Sequence, residues 1–507
     1  MLKDLAMSLS LANLCFLITW NELLNSPIRR FNAGLAVLIN VAALALVFWI
    51  AVTVARRSSG VLPMRLARFL FPLVLLFPIK TCARLLMPGK RFAIELLFLL
   101  LYILVVALFE VRPWHRMILN VSSACCLVLF PFCLITFYHA FRTLIPVPAN
   151  HSAAQPTSSI SASPRVLWLV FDEMDQRLAF EDRPATLHLP ELDRIRAEGV
   201  YATNAYPPSD STDVSMPALI TGKLLSNAEL VNQSKLVITP ADSGEPADLS
   251  GHTNLFTRAA DAGYRTAVVG WHIPYCSLIG QSVSSCTWVD HEPTTLVESM
   301  TKQLEALGGA VPLAADFVIA HQMEPQKRQM RRKQYQDYSS VLEAAKTVII
   351  DPNVRLILVH WPVPHLPGIY NRGADSFELN VESGYLDNLR LVDRTIGELR
   401  RDLEKANLWD DTALLVTSDH WLRSFWKTMG PDPDDRIVPG DQDQRVPFLM
   451  KLARQDKAVT YDASFNTVLT HDMVLALLRG EISSPDSVLS WLDEHRSVSH
   501  SPYRFNP

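Results

Sequence analysis

The first 145 residues alternate between long apolar runs and short polar breaks, and the rest of the chain does not. Four runs have the length of a membrane span: Leu5–Leu24, Ala33–Ala55, Phe92–Val111 and Met117–Phe141. About 20 apolar residues in a helix cross the hydrocarbon core of a bilayer. A fifth run, Leu66–Leu86, is interrupted by Pro72, Pro78 and Lys80 and fits either a span or a re-entrant, interfacial piece. Polar interruptions and the lack of a small-residue cleavage site separate Leu5–Leu24 from a signal peptide. Five spans would put the two ends of the bundle on opposite sides of the membrane. Arg56, Arg57, Arg65 and Arg68 flank one connection, and Lys80, Arg84, Lys90 and Arg91 flank the next. The two groups balance, so charge does not orient the bundle.

Residues 146–163 (PVPANHSAAQPTSSISAS) have no apolar period and read as a flexible linker. The pattern then changes to short buried runs alternating with helical ones. Arg165–Phe171, Thr266–Val269, Val354–Val359 and Ala413–Thr417 are continuously apolar, as strands of a parallel sheet covered on both faces should be. Helices are predicted over Pro190–Glu198, Val214–Leu219 and Asn254–Ala262. Another is predicted over Tyr385–Ala406, where Leu386, Leu389, Val392, Ile396, Leu399 and Leu403 recur at helical spacing. The fold class is therefore α/β with a mostly parallel sheet over 164–480, following a transmembrane helical domain over 1–145 and preceding a tail over 481–507.

With 507 residues and a net charge of −4, the chain has room for two or three domains, and a dedicated nucleic-acid binder is excluded. Five cysteines, Cys15, Cys82, Cys125, Cys126 and Cys133, fall in the apolar part and serve as small apolar residues. Cys276 and Cys286 are the two in the soluble part, and fit either one disulfide in an oxidising compartment or two unrelated thiols.

Ligands of open α/β sheets gather outside the carboxyl ends of the strands. Asp172, His360 and Asp419-His420 lie at or just past such ends, and Glu173 and Asp175 add carboxylates. Two acidic strand ends in one domain suit a shared cation, although a lone Asp there also serves as a turn or cap residue. Thr212 opens the string TDVSMPALITG and is a candidate nucleophile, because a cation or base can activate its hydroxyl. It is equally placed to be the N-cap of the helix that follows, and the two roles are compatible. His360 and His365 frame HWPVPHLP, read as a stiff loop whose histidines could bind an anion or move a proton.

These pieces occur in a specific chain order. Pro190–Arg194 through Gly199–Ala205, Gly263–Ala267 through Trp271-His272, Thr417-Ser418-Asp419-His420 and Arg445–Leu449 together resemble the sulfatase-like branch of the alkaline phosphatase superfamily, over about residues 164–480. True sulfatases carry Cys or Ser in C/S-x-P-S-R. Here the slot is Thr212, with Val214 and Met216 at the Pro and Arg positions, and the lysine of the GKWH stretch is missing between Gly270 and Trp271. The T-x-x-S-x-P string and the H-x4-H-x-P spacing of His360, His365 and Pro367 are similar to the bacterial phosphoethanolamine transferases that modify lipid A. Lipoteichoic acid synthases share the threonine.

The resemblance implies an alkaline-phosphatase-like α/β/α sandwich behind about five membrane helices, anchored in the plasma (inner) membrane with the catalytic domain on its periplasmic or extracellular side. It implies that Asp172, Thr212, Asp419 and His420, with Glu173 as a further candidate, ligate one divalent metal, zinc or manganese before calcium or magnesium. His365 would contact the transferred phosphate. The expected activity is transfer of a phospholipid head group, of phosphoethanolamine or phosphoglycerol type, to an envelope glycan or lipid acceptor through a phosphothreonine intermediate. A sulfatase-like membrane hydrolase and a catalytically inactive, partner-binding pseudoenzyme are the alternatives. Three positions depart from the transferase pattern: Asp172 stands where they use Glu, Trp421 replaces Gly after Asp-His, and no histidine follows about a dozen residues later. Arg423, Lys427 and Arg445 are candidates to hold phosphate in its place, whereas His471 reads as structural.

Overall fold

The computed structural model describes residues 2–57, 91–109, 112–145, 164–289, 295–308, 314–381, 383–423, 443–455 and 457–496, with isolated positions between 72 and 87. The chain divides into two compact units, Met1–Pro148 with Glu292–Pro325, and Ala149–His291 with Gln326–Pro507.

In the first unit, Phe31–Thr53 and Asn120–Thr143 are helical, and both are long and apolar enough to cross a membrane. The first apolar run is a pair of helices, Leu2–Cys15 and Leu17–Asn25, bent by 66° at Phe16, and makes a third span if the pair acts as one. Phe92–Val111 corresponds to the helix Arg91–Phe109, whose apolar part, Ala93–Leu108, is shorter. The run Leu66–Leu86 falls largely outside the described residues, as does the linker 146–163.

These helices turn Leu46, Val47, Ile50, Leu100, Ile103, Val128 and Leu134 outward. They turn polar groups inward: Thr136 Oγ1 donates to Asn13 Oδ1 at 3.1 Å, and Ser10 Oγ to the Cys126 carbonyl at 3.0 Å. Apolar outside and hydrogen-bonded inside is the pattern expected of helices in lipid. The helix Leu296–Gly308 belongs to this unit, because Asn40 Nδ2 donates to Gln303 Oε1 at 3.0 Å and Gln303 Nε2 to the Ala33 carbonyl at 2.9 Å. Within the stretch 164–480, expected to be one domain, the helix Leu296–Gly308 is thus grouped with the N-terminal helices.

The second unit is built on one eight-stranded sheet. Its strands are β1 Arg165–Asp172, β2 Val200–Ala202, β3 Thr266–Trp271, β4 Ser285–Val289, β5 Leu356–Pro364, β6 Thr412–Ser418, β7 Phe448–Lys451 and β8 Val459–Tyr461. Their spatial order is β8-β2-β7-β6-β1-β5-β3-β4. All pairs are parallel except the two made by β7. The period-2 geometry of a strand divides β1 between two cores. Val166, Trp168 and Val170 enter one, and Leu167, Leu169 and Phe171 enter the other. The helix Tyr385–Lys405 covers the second face with Leu389, Val392 and Ile396, and Thr470–Leu478 covers the first with Met473, Val474 and Leu477.

The predicted strand Val354–Val359 starts two positions later, at Leu356, and runs on to Pro364, so His360 lies inside a strand rather than in a loop. The predicted tail 481–507 also needs correction. Pro485–His495 is a helix, opened by a Ser484 capping box, and its Val488 and Leu492 are fully buried in the first core.

Candidate functional site

Strand β1 brings Asp172 to the carboxyl end of the sheet, where its register with β5 shifts between Phe171 and Asp172. The next residue, Glu173, adopts a left-handed φ of 66°, uncommon for a residue with a side chain. This turn is held by its neighbours. The Glu173 amide donates to Asp419 Oδ1 at 3.1 Å, and the Met174 amide donates to Ser418 Oγ at 2.8 Å. The end of β1 is thereby locked to the end of β6.

Beyond β6, Asp419 and His420 are fully buried. Asp419 Oδ1 accepts the amides of Glu173 and His420, which leaves Oδ2 to accept from Thr212 Oγ1 at 2.6 Å. His420 Nδ1 faces the Trp421 carbonyl at 2.9 Å, so that nitrogen carries the proton of the neutral ring. Its Nε2 lies 3.3 Å from Thr212 Oγ1, 3.3 Å from Asp172 Oδ1 and 3.6 Å from Asp419 Oδ2. Trp421 contributes only a backbone carbonyl to this arrangement, which any residue there would supply.

Thr212 is the first residue of the helix Thr212–Thr221, and Ser211 is the N-cap, with extended φ and ψ and no side-chain cap bond. The N-cap role open to Thr212 is therefore filled by its predecessor, and its hydroxyl is committed to the Asp419 side of the site. The far end of this helix is closed by Gly222 at φ 69°, where a Cβ would meet the His471 ring at 2.6 Å. His471, read from the sequence as structural, is buried against this helix end with Nδ1 3.0 Å from Asp472 Oδ1.

Asp172, His360 and Asp419 each offer a ligand atom, all within 4.8 Å of one another. His360 Nε2 is 4.0 Å from Asp419 Oδ2, and its Nδ1 is 2.9 Å from the Tyr275 hydroxyl. Asp172 Oδ1 and His360 Nε2 are buried without a hydrogen-bond partner among the described residues. Buried polar atoms are normally satisfied, so orphans turned toward each other fit a cation. The donor set, carboxylates with imidazoles and a hydroxyl, suits a divalent cation.

Electrostatics agree. Burial opposes charge on Asp172, but the facing His365, His420 and His360 rings outweigh it and hold its carboxyl well below the usual range. Burial opposes the imidazolium of His420 as well, yet Asp419 and Asp172 raise it to about 9. At His360 burial wins, and the ring is pushed toward its neutral form.

Glu173, the further candidate ligand, is turned elsewhere. Its Oε1 accepts from Arg423 Nε at 3.0 Å, and its Oε2 faces His365 Nε2 at 3.8 Å. His365 keeps a part-exposed ring whose Nδ1 bonds the Leu366 carbonyl at 2.6 Å. Among the candidate phosphate-holding cations, Arg423 borders the site, whereas Arg445 is engaged by Glu181 and Asp443 at 2.6–2.8 Å. Lys427 lies outside the described residues. One pair was not foreseen. His272, at φ 61°, places Nε2 3.0 Å from Oδ1 of Asp213, the residue after Thr212. The hydrogen bond from His272 lowers Asp213, and His272 is raised in turn, against its own burial.

Cys276 and Cys286 form a disulfide with a Cα separation of 5.6 Å, which resolves the alternatives left by the sequence. Cys15, Cys125, Cys126 and Cys133 are free, and Cys82 lies outside the described residues.

Three solved structures illustrate the likeness to known proteins. A protein of the alkaline phosphatase superfamily from Vibrio parahaemolyticus is 15% identical, with 65% of this chain and 68% of that chain covered and a TM-score of 0.39. A phosphonate monoester hydrolase from Silicibacter pomeroyi is 11% identical, with 68% and 78% covered and a TM-score of 0.41. A sulfatase, PsFucS1, from Pseudoalteromonas sp. is 16% identical, with 63% and 69% covered and a TM-score of 0.39. No curated protein sequence matches the chain. The sequence model of the family described as Sulfatase matches residues 164–478, well over half of the chain, and the protein therefore belongs to the sulfatase family.

Proposed function

We propose that the protein is a membrane-anchored, metal-dependent transferase that takes a phosphoryl-bearing head group from a phospholipid onto Thr212 and passes it to an envelope glycan or lipid. The observation that carries this reading is the 2.6 Å hydrogen bond from Thr212 Oγ1 to the fully buried Asp419. A hydroxyl so placed has a base for its proton and a helix N-terminus at its back.

Asp172, Thr212, Asp419 and His420 would hold the cation. When bound, it would supply the positive charge that eases ionisation of the hydroxyl and offsets the charge on the phosphate oxygens. Asp419 Oδ2 takes the Thr212 proton while Oγ1 forms a bond to phosphorus and the bond from phosphorus to the diacylglycerol oxygen breaks. The amides of the first turn of the helix Thr212–Thr221 would add their positive end to the side where the phosphate oxygens lie. His365 Nε2, whose ring is oriented by the bond from Nδ1 to the Leu366 carbonyl, protonates the departing diacylglycerol oxygen. An acceptor hydroxyl then attacks phosphorus and gives its proton to His365 Nε2, the bond from phosphorus to Thr212 breaks, and the threonine oxygen recovers its proton from Asp419 Oδ2.

The disulfide fits a catalytic unit in an oxidising compartment outside the cytoplasm. Five membrane spans would keep it beside a lipid donor. A second reading, a sulfatase-like hydrolase in which water replaces the acceptor, draws on family membership itself. Threonine at the nucleophile slot, where sulfatases carry cysteine or serine, favours phosphoryl over sulfuryl chemistry.

The test incubates full-length protein with labelled phosphatidylethanolamine or phosphatidylglycerol, with and without an envelope acceptor. A head-group adduct on Thr212 and acceptor-dependent release support transfer. Free head group in equal amounts under both conditions makes the protein a hydrolase, and an absence of turnover and adduct with every donor refutes both readings.

A further inference from the structure

His360 stands apart from the four residues assigned to the cation above. It lies inside β5, fully buried, in register with Val170 of β1. Its Nε2 points at Asp419 Oδ2 and Asp172 and finds no hydrogen-bond partner among the described residues. Its Nδ1 is 2.9 Å from the hydroxyl of Tyr275, a fully buried side chain whose ring meets the imidazole edge-on at 6.0 Å.

Two features fix Tyr275 in that place. Its ring lies against Gly270 of β3, where a Cβ would come within 2.4 Å of the ring carbon Cε2, so no other residue at 270 leaves the ring where it is. The following residue, Cys276, is bonded to Cys286 of β4, which clamps the short helix Tyr275–Ile279 to the sheet edge. The structure thus builds a chain of contacts from a disulfide through a tyrosine to a histidine, and that histidine ends in an unsatisfied nitrogen aimed at two carboxylates.

We propose that His360 Nε2 is a further ligand of the catalytic cation, and that Tyr275 is the positioning residue that orients it. In the ligating tautomer Nδ1–H donates to the phenol oxygen, and Nε2 presents its lone pair to the ion. Metal-binding histidines are commonly held this way through their other ring nitrogen, and loss of the partner weakens metal affinity by about 10–100-fold. The carboxylates are shared: Asp419 Oδ2 and Asp172 meet Thr212 and His420 on one side and His360 on the other. This inference rests on the cation assigned under the proposed function and adds to it a second imidazole, which shifts the donor set further from calcium and magnesium.

The test uses the full chain in detergent micelles, with zinc affinity measured by chelator competition and cobalt(II) loaded for its visible spectrum. Tyr275→Phe, which keeps the packing, is expected to weaken zinc binding about 10–100-fold. His360→Gln is expected to weaken it further and to alter the cobalt absorption. Asp419→Asn should abolish binding. Wild-type affinity and spectrum in both Tyr275→Phe and His360→Gln, with binding still lost in Asp419→Asn, overturns this inference and leaves the cation in place. Undiminished zinc binding by Asp419→Asn, or none by the unsubstituted protein, overturns the cation assignment and this inference with it. Thermal unfolding of each variant separates a ligand effect from misfolding. A Tyr275→Phe protein that loses zinc but melts as the zinc-free parent does supports a positioning role.

Discussion

The two units solve the same problem, burial of polar groups, in opposite ways. The N-terminal unit shows Leu, Ile and Val to its surroundings and hides isolated neutral pairs such as Asn13 with Thr136 and Asn40 with Gln303. Each pair joins two uncharged groups, so each is worth little and can be lost singly. The sheet unit hides its apolar side chains on both faces of one sheet and gathers charge at one end of it. There Asp172, Asp419, His420 and His360 lie within a few ångströms with atoms left unsatisfied. Neutral pairs hold a structure together, whereas a charged cluster left unsatisfied under heavy burial calls for a ligand.

The largest way to break this contrast is to remove the reacting group. Thr212→Ala should lower head-group turnover by at least about 10³-fold and abolish the covalent adduct. Both are read by product analysis and intact mass, and the variant should keep its fold because the N-cap is Ser211. Next in size is removal of the cation. With free metal at about 100 times its dissociation constant, binding stabilises the folded unit by about 2.7 kcal/mol. A chelator should therefore lower the melting temperature of the sheet unit by several degrees and leave the N-terminal unit unchanged. Because the neighbouring carboxylates raise His420 to about 9, metal uptake at neutral pH should release a proton and tighten as pH rises toward that value.

A smaller effect concerns Asp175, which burial pushes up to about 6. The fold holds this proton more tightly than the unfolded chain does. Its stabilising contribution is complete below about pH 4 and is lost as pH rises through 6. Asp175→Asn should flatten that part of the curve of urea midpoint against pH, and an unchanged slope would refute the assignment. The smallest effect belongs to the N-terminal pairs. Thr136→Val should cost about 0.6 kcal/mol in the stability of that unit and nothing in metal affinity.

The sequence reports best on what is periodic. The helix Tyr385–Lys405 and strand β1 are found within a residue of their expected bounds, because one long apolar stripe or one unbroken apolar run leaves little choice. The side chains of Asp172, Thr212, Asp419 and His420 come together as expected, since strand ends are the places a parallel sheet makes available. What was missed depended on partners far along the chain. HWPVPHLP reads as a loop because of its prolines, yet pairing with β1 keeps it extended through Pro364 and buries His360. Cys276 marks the position beside Tyr275 but not the tyrosine itself, whose place is set by Gly270 beneath its ring and by His360, 85 residues further along the chain. The membership of Glu292–Pro325 in the N-terminal unit rests on contacts such as Gln303 with Asn40, which no local pattern encodes.

In the proposed site a hydroxyl, two carboxylates and imidazoles from distant strands share one cation. X-ray absorption at the zinc edge of the loaded, full-length protein tests it most directly. The expected result is a shell of oxygen and nitrogen neighbours at about 2.0–2.1 Å with the outer scattering of imidazole rings. Protein that retains no zinc, or a shell of oxygens alone, would contradict it.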